Sequence, residues 1–491
     1  MKIIPFPNSF HAIPETFLVN ENTSINYSNG LAETAQELSL FIKSLTNKLP
    51  EQSSFANINL TLDPSFEDEQ YLLIVRGTDI HLAARTNIGA FYGLQTLKQL
   101  VFKKGEKNYI SGAIIEDRPR FPYRGLMLDA ANCFFPKDEV FRLIDLISFH
   151  KLNILHLKLT DNINWRIENK LFFKDTKNTL PNSNDQKQYY SKKDIKEIIN
   201  YAKTKHITII PEIDIISSLI FLSTIDPMIA YIKENTKSFH FCLGNEKLYS
   251  LLSDILLELI TLFEGDYFHL GGGSTLNLKQ IDCSLCKEKI EAELLNNPFD
   301  LKVYFLNYFG KLISAHNKKP IIWNQNLTTK TMDSIIGHYY DNSYKKKRNK
   351  EINFNRKVIL SDNSYFAFHK PYSMIPLSKV YNYEPIQKNG YSKEHILGVE
   401  ATLYTMTIRS RFKLDFHIFP RLAAFSEVAW TESHHKEYDG FIDRLEHVYN
   451  HYKNMNVNFA PNKTITPNVL KRTCQKIAWL KDNDFELKRK K

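Results

Sequence analysis

Two hydrophobic periodicities divide this chain. Up to about residue 118, the alternating runs Ile58-Asn-Leu-Thr-Leu62, Tyr71-Leu-Leu-Ile-Val75 and Ile80-His-Leu-Ala83 predict half-buried strands. Ala35 to Leu45 and Gly89 to Phe102 carry apolar residues at helical spacing instead. The mixture predicts a small α+β domain over 1–118, closed by the proline-marked Asp117-Arg-Pro-Arg-Phe-Pro122.

From 119 to 432 the pattern becomes strand, then helix, repeatedly. The spacing predicts strands at Arg124–Ala131, Ile154–Asp161, Ile207–Asp214, Tyr267–Leu270, Pro320–Trp323, Ser334–Tyr340, Lys357–Ser361 and Ile396–Tyr404. It predicts helices from Pro136 onward, over Lys192–Lys205, over Leu248–Phe263, and as one helix over Phe416–Trp430. Eight strands alternating with helices favour an α/β fold, a (β/α)8 TIM barrel, whose site residues sit at the C-terminal strand ends. A doubly wound sheet is the competitor, but no glycine-rich phosphate loop follows the first strand. The Lys- and Asn-rich segment 433–491 is expected to be a basic helical tail that packs a helix or two and then frays.

Within the barrel the stretch Tyr267-Phe-His-Leu-Gly-Gly-Gly-Ser-Thr275 stands out. A short apolar strand runs into three glycines, the signature of backbone that must turn sharply beside a ligand. A residue that does chemistry is expected next, yet Gly273 and Ser274 follow.

Composition narrows the alternatives. The chain has 491 residues, 43% hydrophobic, and a net charge of +10. That excess is dispersed apart from Lys345-Lys-Lys-Arg348 and Lys488-Arg-Lys-Lys491, which read as solvated loop and tail rather than a nucleic-acid surface. No run approaches the length of a membrane span, and the N-terminus shows no apolar signal core, so cytoplasmic residence is the expectation. Among five cysteines, Cys283-x-x-Cys286 is half of a zinc site with no second ligand pair evident. Neither a metal nor a cofactor is therefore expected.

Seven segments in order resemble glycoside hydrolase family 20, the β-N-acetylhexosaminidases. They are Gly89–Leu100, Arg118–Asp129, Leu152–Asp161 with Trp165-Arg166, Pro211-Glu-Ile-Asp214, His269-Leu-Gly-Gly272, Ile322-Trp323 and Phe419–Trp430. The resemblance implies retaining hydrolysis without an enzyme nucleophile, the substrate's own 2-acetamido oxygen attacking the anomeric carbon. It implies an Asp-Glu pair after the His-x-Gly-Gly turn, the Glu protonating the leaving oxygen and the Asp orienting the acetamido group. Here those positions read Gly273 and Ser274.

Other departures fall on the same site. Lys158 stands for the second strand's later His and Asn162 for its second Asp, while Ile215–Ser218 replaces Met-Pro-Gly-His. Asn132-Cys133 replaces Arg-His, Ala367 an acetamido-binding Asp, and Tyr404 and Met406 a stacking Trp and a hydroxyl-binding Glu. By resemblance Arg124, Asp161, Asp214, His269, Trp323 and Tyr404 are the substrate-binding candidates. Each has a plainer reading beside it. Arg124 suits either sugar hydroxyls or a buried salt bridge, Trp323 either a sugar face or core packing, and the acids and His269 structural hydrogen bonding. Glu400, where the family usually has Gln, is a candidate relocated acid, or else the partner of a cation such as Lys158. The resulting expectation is a hexosaminidase-like protein, inactive or strongly impaired, with an N-acetylhexosamine glycan as partner. The rivals are an active glycosidase with a relocated acid, and an interaction scaffold using the basic 345–350 loop.

Overall fold

The computed structural model describes residues 2–162, 164–171, 188–232, 239–273, 283–340, 356–389, 391–467 and 469–482. Ser274, the basic 345–350 stretch and the 488–491 terminus lie outside these described residues.

The N-terminal unit is an eight-stranded mixed sheet. Its inner strands are the three alternating runs foreseen above, now Ile58–Leu62, Tyr71–Val75 and Ile80–Ala84. Two strands that the periodicity missed, Ser9–Val19 and Lys107–Asp117, pair antiparallel beside them. Pro14 interrupts the alternation of the former, and the register shifts between Ala12 and Thr16, as an edge strand tolerates. Helices Ala32–Thr46 and Asn87–Gln99 cover the sheet. The second starts at Thr86, whose side chain accepts from the Gly89 N–H.

Eight parallel strands then close a barrel in sequence order. They are Tyr123–Asp129, Ile154–Lys158, Thr208–Glu212, Tyr267–His269, Lys319–Trp323, Ile336–Tyr339, Val358–Leu360 and Ile396–Leu403. The connecting helices follow local rules. Lys192–Thr204 opens on a capping box between Ser191 and Asp194 and buries Ile195, Ile198, Ile199 and Ala202 at helical spacing. The single helix expected over Phe416–Trp430 is instead two, Arg411–Ile418 and Arg421–Trp430. Pro420 separates them because it has no N–H to continue the ladder. Beyond the barrel, Tyr438–Asn454 buries Phe441, Leu445, Val448, Tyr449 and Tyr452 in the same core as the barrel.

Buried charge joins the two units. Lys151 and Asp117 pair at 2.8 Å with both side chains fully buried. The Trp430 indole N–H donates to the same Asp117 carboxylate at 3.0 Å.

Candidate functional site

Strand periodicity stacks the barrel interior in layers. Ile154, Ile210, Ile321, Ile336 and Ile359, with Tyr123, form an apolar plug. Two residues further along those five strands stand His156, Glu212, Trp323, His338 and Ser361, and His269 follows Tyr267 in the same way. An apolar layer is thus succeeded by a polar one.

The polar layer is tightly wired. Glu400 is fully buried and accepts from the Tyr123 hydroxyl at 2.5 Å and from His156 Nδ1 at 2.8 Å. It occupies the space above Gly125, where a Cβ would stand 2.7 Å from Glu400 Oε2. The Gly271 N–H donates to His269 Nδ1 at 2.9 Å, which fixes the His269 proton on Nε2. That nitrogen faces His338 Nδ1 at 3.2 Å, and His338 Nε2 reaches Ser361 Oγ at 2.6 Å. Burial holds His269 well below the usual histidine range and takes His338 down to about 4, so both rings are neutral. His156 differs: burial opposes its charge, but the carboxylates of Glu400 and Glu212 raise it to about 9. Its Nε2 lies 3.1 Å from Glu212 Oε2 without the alignment of a hydrogen bond.

Above this layer, at the C-terminal strand ends, Lys158 sits almost fully buried among acids. Its ammonium donates to the Thr160 carbonyl at 2.7 Å and lies 3.4 Å from Glu212 Oε1. Burial disfavours its charge, yet Glu212, Asp161, Asp214 and Asp129 together raise its pKa above the ordinary lysine value. The Asn132 amide bridges two of these acids, 2.7 Å from Asp129 Oδ2 and 2.8 Å from Asp161 Oδ2. Sequence alone marks Asn132 only as a departure and Lys158 as a departure and a partner for Glu400. Their meeting with carboxylates at the ends of three strands depends on barrel closure, which local sequence does not signal.

The glycine turn is held by Asp214. Its Oδ1 accepts from the Gly272 N–H at 3.1 Å and the Ser217 N–H at 3.0 Å, and its Oδ2 from the Ser217 hydroxyl at 2.7 Å. Gly271 and Gly272 have φ of +70° and +85°, and a Cβ on Gly271 would fall 2.4 Å from Asp214 Cγ. Only glycine fits that left-handed turn against a carboxylate. Trp323 is 2% exposed, donates to Glu212 Oε1 at 3.1 Å and stacks on His338 with centroids 4.1 Å apart. Tyr404 is half-buried at the mouth, edge-on to Tyr340 and His369. Met406 beside it is exposed, and Ala367 is fully buried.

Two sequence expectations need correction. Arg124 is the second residue of its strand, at the opposite end of the barrel from the glycine turn. There it is fully buried, bidentate to Glu69 at 2.9 and 3.1 Å and bonded to Tyr92 Oη at 2.8 Å, so it clamps the two units and is remote from the candidate site. Glu400 does not pair with Lys158; that cation goes to Glu212, and Glu400 lies one layer deeper with Tyr123 and His156. Asp214, His269 and Trp323 each touch the glycine turn, Asp161 faces Asn132 and Lys158, and Tyr404 packs on Tyr340.

The profile of "Glycosyl hydrolase family 20, catalytic domain" matches residues 121–433, and that of "Glycosyl hydrolase family 20, domain 2" matches 1–118. The chain belongs to glycosyl hydrolase family 20. Among family 20 relatives, a beta-hexosaminidase of Porphyromonas gingivalis is 27% identical over 91% of this chain, and the chain spans 63% of that protein's length. One of Vibrio furnissii is 26% identical over 87% of this chain and 76% of its own. The fold matches the family 20 exo β-N-acetylglucosaminidase of Vibrio harveyi, solved with N-acetylglucosamine, at a TM-score of 0.84 and 23% identity, covering 94% of this chain and 78% of that one. Flavobacterium johnsoniae chitobiase matches at 0.79 and 26%, covering 93% and 73%. No helix among the described residues is long and apolar enough to cross a membrane.

Proposed function

We propose that this family 20 chain does not turn over β-N-acetylhexosaminides and instead binds N-acetylhexosamine-bearing glycans at the mouth of the barrel. The observation that carries the reading is the state of the turn: Gly273 stands where the family's orienting Asp belongs, and a buried Lys158 sits among the neighbouring acids.

Substrate-assisted hydrolysis needs a proton donor at the leaving oxygen and a carboxylate at the acetamido group. The nearby acids are otherwise engaged. Asp214 spends both oxygens on the turn and on Ser217, Glu212 faces Lys158 and Trp323, and Glu400 is sealed beneath them. A general acid is typically worth roughly 10²–10⁴-fold and preorganised charge stabilisation roughly another 10²–10³-fold. A serine at 274 replaces neither, since its hydroxyl does not protonate an alkoxide at neutral pH. The half-buried Tyr404 beside Tyr340 offers an aromatic face of the kind that stacks on a sugar ring, and a neighbouring fold holds N-acetylglucosamine.

The test pairs two measurements. p-Nitrophenyl N-acetylglucosaminide should release no phenol above the buffer rate, and titration calorimetry with a chitooligosaccharide should show binding that Tyr404→Ala weakens about tenfold, the loss of one stacking contact. Turnover that survives purification to homogeneity overturns the proposal. Absence of binding overturns its second half.

A further inference from the structure

Away from the barrel mouth, the fold completes a cluster that sequence spacing left as half a site. Cys283 caps the helix Ser284–Ala292, Cys286 lies in its first turn, and Cys242 arrives from the loop before the helix Glu246–Leu262. The Cys242 sulfur is 3.1 Å from that of Cys283 and 3.8 Å from that of Cys286, and all three lie within 4.8 Å of one another. Their exposures are 4%, 9% and 0%. We propose that Cys242, Cys283 and Cys286 form a thiolate site for one zinc ion, with the fourth tetrahedral position taken by water.

Three features support three thiolates on a metal over a simple disulfide. A disulfide joins two sulfurs at about 2.05 Å and strands the third, whereas sulfurs around a tetrahedral zinc, each about 2.3 Å from the metal, stand roughly 3.8 Å apart. The loop backbone is pressed onto the helix, since a Cβ on Gly244 would lie 2.2 Å from the Leu285 carbonyl oxygen. The same Cβ would lie 2.7 Å from the Cys286 backbone N, so the loop packs directly on the turn that carries this cysteine. Cys286 stands in the first turn of its helix, where the unpaired backbone N–H groups favour a thiolate. Metal binding releases the thiol protons to solvent and changes no oxidation state.

The experiment uses the full chain purified without chelator. Elemental analysis should find one zinc per chain, released stoichiometrically by an organomercurial. Exchange with Co²⁺ should give a near-ultraviolet sulfur-to-metal charge-transfer band. Cys286→Ser and Cys242→Ser should each lower zinc affinity at least tenfold, whereas Cys133→Ser with Cys474→Ser should retain the ion. A Cys286→Ser protein with undiminished zinc overturns the site, as does a metal-free wild type whose peptide map shows a Cys242–Cys283 disulfide. If the serine variants do not fold, the wild-type cobalt spectrum decides alone, and its lack of a charge-transfer band rejects the site.

Discussion

Gly273 and Trp323 are packed so closely that a Cβ on the glycine would stand 3.2 Å from Trp323 Cδ1. A side chain at 273 would need Trp323 to give by a few tenths of an ångström. Trp323 in turn is fixed by its bond to Glu212 and its stack on His338.

Restoring the family's pair by Gly273→Asp with Ser274→Glu should leave hydrolysis of p-nitrophenyl N-acetylglucosaminide at least about 10²-fold below that of active relatives. The side chain added at 273 would meet Trp323, and the site's other positions remain Asn132, Lys158 and Ala367. Full recovery of turnover would show that only the pair had been lost.

Lys158 is the counter-ion of the barrel mouth. Lys158→Met removes the cation and leaves Glu212, Asp161, Asp214 and Asp129 facing one another. The expected loss is about 3–5 kcal/mol, read as a lower urea midpoint. Adding Glu212→Gln should recover part of it, because one buried charge is removed; equal midpoints for the single and double variants reject the pairing.

Stability should peak near neutral pH for reasons the histidines supply. His156, raised from 6.5 to about 9, contributes stability that is complete below pH 6.5 and lost as pH rises through 9. That shift corresponds to on the order of 3 kcal/mol. His338, lowered from 6.5 to about 4, acts on the acid side, its contribution fading as pH falls from 6.5 toward 4. Urea midpoints across this range should show both limbs, and His156→Asn should flatten the alkaline one alone.

Arg124→Ala should act on folding rather than on ligand. The buried guanidinium is held by Glu69, Tyr92 and the carbonyls of Phe121 and Lys151, so truncation should cost about 3–5 kcal/mol. Glycan affinity, measured by calorimetry well below the variant's melting temperature, should be unchanged. A matching loss of affinity would return Arg124 to the site.

How much of this was legible beforehand varies by element. The strand runs Ile154–Lys158 and Thr208–Glu212, the capped helix at Ser191 and the glycine turn declare themselves locally, through period, cap residue and absent side chain. Ser9–Val19 escaped because an edge strand carrying Pro14 breaks the alternation that marks a strand. The break at Pro420 was legible in principle, but the continuous apolar face on both sides concealed it.

The sequence by itself determined the eight-stranded barrel, the family resemblance and the glycines that end the fourth strand, because these follow from residue type and order along one strand at a time. Tertiary structure alone decided which end of the barrel Arg124 occupies, that Glu400 pairs with His156 while Lys158 pairs with Glu212, and that Cys242 joins Cys283 and Cys286. Each of those is a meeting of groups far apart in the chain. Electrostatic and ligand fields depend on distances that only barrel closure and helix docking set.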